Sequence, residues 1–254
     1  MRKWENIRDK AIPLLFIILV IAIWQLIVDS GMIARYILPS PWDVITICIT
    51  ILPEIKEHIY TTLQEAITGL LVAVSLSVVL AVLMDNFTIV RKALQPLLVI
   101  SQTIPIMVLA PLFVMWFGFG VLPKVMVVIL VCFFPIAVSL LEGLGSMDQD
   151  LLNLMKSMKA NRWQIFYLAK FPASLGSFFS GLKIAATYSI IGAVIGEWMG
   201  GKSGLGVYMT RVRQSFALDK VFAAILVIII LSMILFKIIE LIQFLVMPWK
   251  KAMR

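Results

Sequence analysis

The stretch Met147–Pro172, MDQDLLNLMKSMKANRWQIFYLAKFP, decides how this chain is read. It is polar and basic, and it lies between four apolar windows before it and two after. Its apolar residues fall first at Leu151, Leu152, Met155 and Met158, a helical spacing, and restart out of phase at Trp163, Phe166 and Tyr167. Two short helices fit that pattern, with a turn at 159–161. Asp148 or Asp150 can cap the first, Asn161 followed by Gln164 makes a capping-box pattern for the second, and Pro172 ends the second and opens the next apolar window. A water-facing helix-turn-helix in so apolar a chain points to a docking surface for another protein. The simpler alternative is a solvated loop at the membrane surface.

Outward from that segment, the 254 residues are 61% hydrophobic and only 14% charged, with a mean hydropathy of +1.02. That composition excludes a soluble globular domain. Windows long enough to cross a bilayer, which takes about 20 residues, lie at 11–29, 62–84, 94–117, 121–141, 174–199 and 221–247. The expected fold is therefore an all-α integral membrane protein with six transmembrane helices in a single domain, 1–254. The first window runs on into Trp24, Gln25 and Val28 with no small-residue cleavage site, so it reads as a retained span and not a signal peptide.

Six crossings put both ends of the chain on one side. Arg2, Lys3, Arg8, Lys10, Arg91, Lys92, Lys156, Lys159, Arg162, Lys170, Lys250, Lys251 and Arg254 fall on that side, and Arg35, Lys56, Lys124, Lys202, Arg211, Arg213 and Lys220 on the other, thirteen against seven. The positive-inside bias then makes the termini and the 147–172 loop cytoplasmic. Basic flanks against anionic membrane lipid account for the net charge of +8, and no nucleic acid is needed. Cys48 and Cys132 lie far apart in apolar surroundings and read as packing residues, with neither a disulfide nor a metal implied.

Residues 37–60 hold Pro39 and Pro41, then a mixed stretch with Glu54, Glu57 and His58, which reads as an external helix lying along the membrane surface. The third window carries Pro96, Pro105 and Pro111. Proline removes an amide donor and bends a helix, and a neighbouring helix or a watery cavity must satisfy the freed carbonyls in lipid. One reading makes this helix a wall of a transport path; the other is that prolines are simply common in membrane helices. The fifth window is rich in Gly181, Ala185, Ala186, Gly192, Ala193 and Gly196, which suits close helix packing.

Residues 196–203, GEWMGGKS, match a phosphate-binding loop letter for letter. Such a loop must follow a strand and open a helix, whereas this one ends a membrane helix on the external side, so no nucleotide site is expected. Of the charges in or near spans, Lys237 and Glu240 are three apart and should pair, and Glu65 lies near an external end where it can reach water. Glu197 is a candidate for lining the path or an external gate, with Gln102, Thr103 and Pro105 of the third window as further path candidates.

The run Lys156-Ser157-Met158-Lys159-Ala160-Asn161-Arg162-Trp163-Gln164-Ile165-Phe166, closing at Phe171-Pro172, resembles the EAA loop of bacterial ABC importer permeases. Leu38-Pro39-Ser40-Pro41, Ile104-Pro105, Leu109-Ala110-Pro111-Leu112 through Trp116-Phe117-Gly118, and Gly204-Leu205-Gly206 agree with the branch that includes nitrate, sulfonate, taurine and thiamin-pyrimidine permeases. The chain departs from the loop's signature where Asn153-Leu154-Met155 replace Glu-Ala-Ala and Lys159 replaces glycine. Lys159 must then use an ordinary turn or a rare positive φ.

The resemblance implies a type I importer permease in a bacterial inner membrane, pairing with a second copy, with ATP-binding cassette ATPase subunits and with an external solute-binding protein. Met155, Lys156, Met158, Lys159, Ala160, Asn161, Arg162, Trp163, Phe166 and Pro172 would couple to the ATPase; Lys156, Lys159 and Arg162 could instead grip lipid headgroups. ATP and Mg²⁺ would be held by the partner, with no cofactor and no catalysis in this chain. Ile195–Gly201 looks most like permeases for thiamin-precursor pyrimidines, with sulfonate, taurine or nitrate as alternatives. A secondary transporter or channel would need inverted repeats or relay carboxylates, and an intramembrane enzyme would need a catalytic motif; the sequence displays neither.

Overall fold

The computed structural model describes the backbone of residues 2–251 and the side chains of residues 11–249. The side chains of Arg2, Lys3, Arg8, Lys10, Lys250, Lys251 and Arg254, counted in the charge bias, lie outside that description. The helices are α1 (Arg2–Asp29), α2 (Pro41–Asn86), α3 (Thr88–Thr103), α4 (Ile106–Phe117), α5 (Val121–Gly145), α6 (Gln149–Ser157), α7 (Arg162–Ile165), α8 (Phe171–Trp198), α9 (Leu205–Gln214) and α10 (Leu218–Val246). A π-helical turn, Phe166–Lys170, joins α7 to α8. Among the described residues, five segments are long and apolar enough to cross a membrane, and α3 with α4, bent by 101°, makes a sixth if counted as one span.

The break between α3 and α4 falls at Ile104-Pro105, while Pro96 and Pro111 stay inside their helices. Three prolines thus produce one break, sharper than a bend.

The surface helix expected over 37–60 is not a separate element. Residues 41–86 form one helix, because buried positions recur every three or four residues from Val44, Cys48, Ile51 and Ile55 through Thr62, Ala66, Ala73, Ser77, Ala81 and Met84. Its start is well specified. Ser40 Oγ accepts the Asp43 N–H at 3.1 Å, Asp43 accepts the Ser40 N–H at 3.2 Å, and Pro41 occupies the first helical position.

By its contacts the chain divides into two compact units, Met1–Lys56 with Tyr208–Val227, and Glu57–Val207 with Ile228–Arg254. In the second, α5 and α8 run antiparallel against each other. A Cβ at Gly143 would stand 3.0 Å from Ser174 Cα, and at the other end one at Gly196 would stand 2.9 Å from Lys124 Cα. Contacts this close let backbone meet backbone, the main source of helix association where lipid is as apolar as leucine. Val128, Cys132 and Ile136 of α5 meet Ala185, Ala186, Ile190 and Ala193 of α8, with Ala66, Leu70 and Ala73 of α2 and Leu235 and Ile239 of α10 completing that core. Lys124, which the charge count assigns to a loop, is in the first turn of α5 and buried.

Candidate functional site: a capped loop and a buried clamp at the two ends of one helix

The 147–172 loop has the two short helices its sequence predicts. Asp148 caps α6 by accepting the Asp150 N–H at 2.8 Å. Asn161 caps α7 in a complete capping box, accepting the Gln164 N–H at 2.8 Å while Gln164 Oε1 accepts the Asn161 N–H at 2.7 Å. Between them Lys159 takes φ 58°. The Ala160 N–H donates to Met155 O at 3.0 Å and the Lys159 N–H to Lys156 O at 2.9 Å, the two bonds of a Schellman cap with Lys159 in the left-handed position that glycine usually fills. The departure from the signature therefore leaves the turn intact and puts a charged side chain on it.

The loop sorts its residues by exposure. Lys156, Met158, Lys159, Asn161, Arg162 and Trp163 are exposed, Met155, Ala160 and Pro172 are half-buried, and Phe166 is buried. Phe166 packs with Ala81, Leu140 and Leu144. Close by in sequence, Lys170 Nζ lies 2.8 Å from both carboxylate oxygens of Asp85 on α2. The second helix is thus anchored by an aromatic plug and a forked ion pair, and its outer face is free to meet a partner.

Pro172 does not end that helix. The segment Arg162–Trp198 is helical throughout, because the π turn bonds the Phe171 N–H to Phe166 O five residues back. A widened turn relieves the clash that a proline ring makes with the carbonyl four residues before it.

The other end of α8 carries a cluster with few signs in the sequence. Glu65, Lys124 and Glu197 are 1%, 5% and 1% exposed, so Glu65 does not reach water as expected. Lys124 Nζ lies 2.7 Å from Glu65 Oε1 and 3.4 Å from Ser203 O. Glu197 accepts the Thr62 hydroxyl and the Gly206 N–H, both at 2.6 Å. Thr62 Oγ1 in turn accepts the Leu205 N–H at 2.9 Å, and His58 Nδ1 accepts the Gly204 N–H at 2.9 Å.

These bonds explain why residues 196–203 only imitate a phosphate-binding loop. The amides around the start of α9 are already taken: the Gly206 N–H by the Glu197 carboxyl group, the Leu205 N–H by Thr62 and the Gly204 N–H by His58, so none is left for a phosphate. Gly204, at φ +125°, has no room for a Cβ, which would run into that carboxylate. The cluster is a clamp: α2, α5 and the end of α8 together fix the loop 199–206.

Of the other path candidates, Gln102, Thr103 and Pro105 are exposed at the α3–α4 break, and Thr103 folds its hydroxyl back onto Ile100 O at 2.8 Å. The hydrogen bonds of Glu197 go to Thr62 and Gly206 and not to these residues. Lys237 and Glu240 pair at 2.6 Å as their spacing predicts. Sequence reading missed Asp85–Lys170 and Glu65–Lys124. For Glu65 and Lys124 the available signal was one charge near the external end of each of two apolar windows; Asp85 and Lys170 lie just outside their windows, where a charge needs no partner.

Apolar helices long enough to cross a membrane, with a capped and anchored helix pair set between two of them, define a multi-pass membrane protein. Comparison with known proteins places it further: residues 73–251 match the model of the family described as binding-protein-dependent transport system inner membrane component, and the chain belongs to that family. It is 37% identical over 241 residues to the formylaminopyrimidine transport permease protein ThiX of Halalkalibacterium halodurans, covering 94% of this chain and 96% of that one. It is 26% identical to the putative aliphatic sulfonates transport permease protein SsuC of Bacillus subtilis (92% and 85% covered) and 26% identical to the taurine transport system permease protein TauC of Escherichia coli (97% and 92%). The chain is an ABC transporter permease of the inner membrane.

Proposed function

We propose that two copies of this chain form the membrane pathway of an ATP-driven importer, with the 147–172 loop of each seated on a separate ATPase subunit and the termini on that same, cytoplasmic side. The observation that carries this reading is an exposed face formed by Lys156, Met158 and Lys159 of α6 and its cap with Arg162 and Trp163, the last two at the start of a segment that continues unbroken into a span. Thirty-seven helical residues extend roughly 55 Å at 1.5 Å each. A displacement of α7 by the ATPase is therefore delivered to the far end of α8, at the Glu197 clamp. ATP can drive the change only in so far as ATPase contacts differ between the inward- and outward-facing states. ATP and Mg²⁺ belong to the partner, and this chain hydrolyses nothing.

The solute is delivered by an external binding protein. The similarity to ThiX supports a thiamin-precursor pyrimidine such as a formylaminopyrimidine; the similarity to SsuC and TauC supports a sulfonate or taurine as the alternative. The test is co-purification of the ATPase through an intact 147–172 loop, then uptake in proteoliposomes with the binding protein and each solute in turn. Uptake by the permease without any ATPase would instead establish a secondary transporter or channel.

A further inference from the structure

Two non-glycine residues among those described have left-handed backbone, Lys159 and Phe216. They hold the same place in the same motif. The Ala217 N–H donates to Val212 O at 3.0 Å and the Phe216 N–H to Arg213 O at 3.0 Å, a second Schellman cap, closing α9. A Cβ in that conformation costs about 1–2 kcal/mol relative to the usual right-handed backbone. For Phe216, at φ 57°, burial offsets none of it, since the side chain is 87% exposed. Strain kept in place without a packing gain is a pointer to function. In the loop where Lys159 carries it, the function proposed above is docking.

Phe216 lines a cavity of about 560 Å³ together with Arg35, Tyr36, Trp42, Asp43 and Asp219. Tyr36 and Trp42 are 75% and 71% exposed. A membrane-interface belt accounts for a tyrosine and a tryptophan but not for a strained phenylalanine. The cavity is acidic, because Arg35 is already neutralised by Asp29 at 3.1 Å, leaving Asp43 and Asp219 in excess. The same field reaches Tyr208 of α9: burial first, then the charges of Glu54 and Asp219, push its phenol up to about 12. Walls this exposed cannot enclose a small solute, which needs most of its surface covered. They suit a long side chain arriving on another protein, and tryptophan and tyrosine are the residues that most often dominate such contacts.

We propose that this cavity seats a basic side chain of the external solute-binding protein, held by the Asp43 and Asp219 carboxylates and by the faces of Tyr36, Trp42 and Phe216. The inference rests on the importer reading and its orientation, which puts the loops after α1 and α9 outside. The test is the concentration of the binding protein encoded with this permease that half-saturates stimulation of ATP hydrolysis by the reconstituted complex. Phe216→Gly and Trp42→Ala should each raise it about tenfold, and Asp219→Asn should raise it and flatten its dependence on salt. Phe216→Gly should meanwhile leave the thermal midpoint unchanged or higher, which separates lost docking from lost folding. Unchanged half-saturation in all three variants, with the wild type still stimulated, overturns the inference and leaves the importer reading standing. Saturable binding of free solute that Trp42→Ala abolishes would make the cavity a solute site, and an effect that follows lipid composition alone would make it a lipid belt; either overturns it. A wild type that no binding protein stimulates defeats the importer reading and this inference with it.

Discussion

Replacing Lys159 by glycine should make the protein more stable while weakening its hold on the ATPase. The left-handed backbone at φ 58° costs a residue with a Cβ about 1–2 kcal/mol. Glycine removes that cost but gives about 0.4–1 kcal/mol back through the greater freedom of the unfolded chain. The net gain lies between about 0 and 1.6 kcal/mol, centred near about 0.8 kcal/mol, or about 2–3 °C in the thermal midpoint at that centre for a chain of this size. Lys159→Ala keeps the strain and loses the same ammonium, so it should melt with the wild type. Size-exclusion thermostability of the detergent-solubilised permease measures the order, glycine above lysine and alanine. Affinity for the ATPase subunit measures the side chain: both variants should lose about two- to fivefold, as an exposed ion pair is worth about 1 kcal/mol or less. A glycine variant that melts below the wild type would refute the strain assignment. Equal ATPase affinity in all three would remove Lys159 from the docking face.

Three further outcomes follow from the geometry. Lys124→Ala strands Glu65 without its cation in a buried site and should cost about 3–5 kcal/mol; adding Glu65→Gln should restore at least half of the lost thermal midpoint, and a double variant no better than the single would show that the pair is not the source. Gly192→Leu must fit a side chain where a Cβ already stands 3.3 Å from Val128 Cα, so it should lower stability by about 1–3 kcal/mol by prying α5 from α8, whereas an unshifted midpoint would mean the helices part freely. Arg162→Glu, exposed at the start of α7, should abolish uptake and weaken ATPase association with membrane insertion intact; normal uptake would defeat the coupling role.

Local features were legible in the sequence because their partners are near in the chain. The capping box of Asn161 and Gln164, the Asp148 cap and the Lys237–Glu240 pair each span two or three residues. The stripe of small residues likewise announced the tight face of α8. Composition windows misled where they averaged over a stripe: the polar patch at Glu54, Glu57 and His58 interrupts hydropathy but not the buried period of α2, and Ser40-Pro41-Trp42-Asp43 held the start signal of that helix all along. Pro172 misled for a different reason, since a π turn formed by earlier residues decides whether the helix survives it.

The sequence by itself determined that this is a multi-pass membrane protein, where its water-facing loop lies, and which two short helices that loop contains, because hydropathy and helix caps are properties of neighbouring residues. Only the tertiary structure decided what the isolated charges do. Glu65, Lys124 and Glu197 are separated by 59 and 73 positions along the chain, and nothing local distinguishes a carboxylate that reaches water from one that clamps a loop. The cost of burying a charge alone forces such groups together, and which of them meet is set by the register of α2, α5 and α8, fixed where their small residues let the backbones touch.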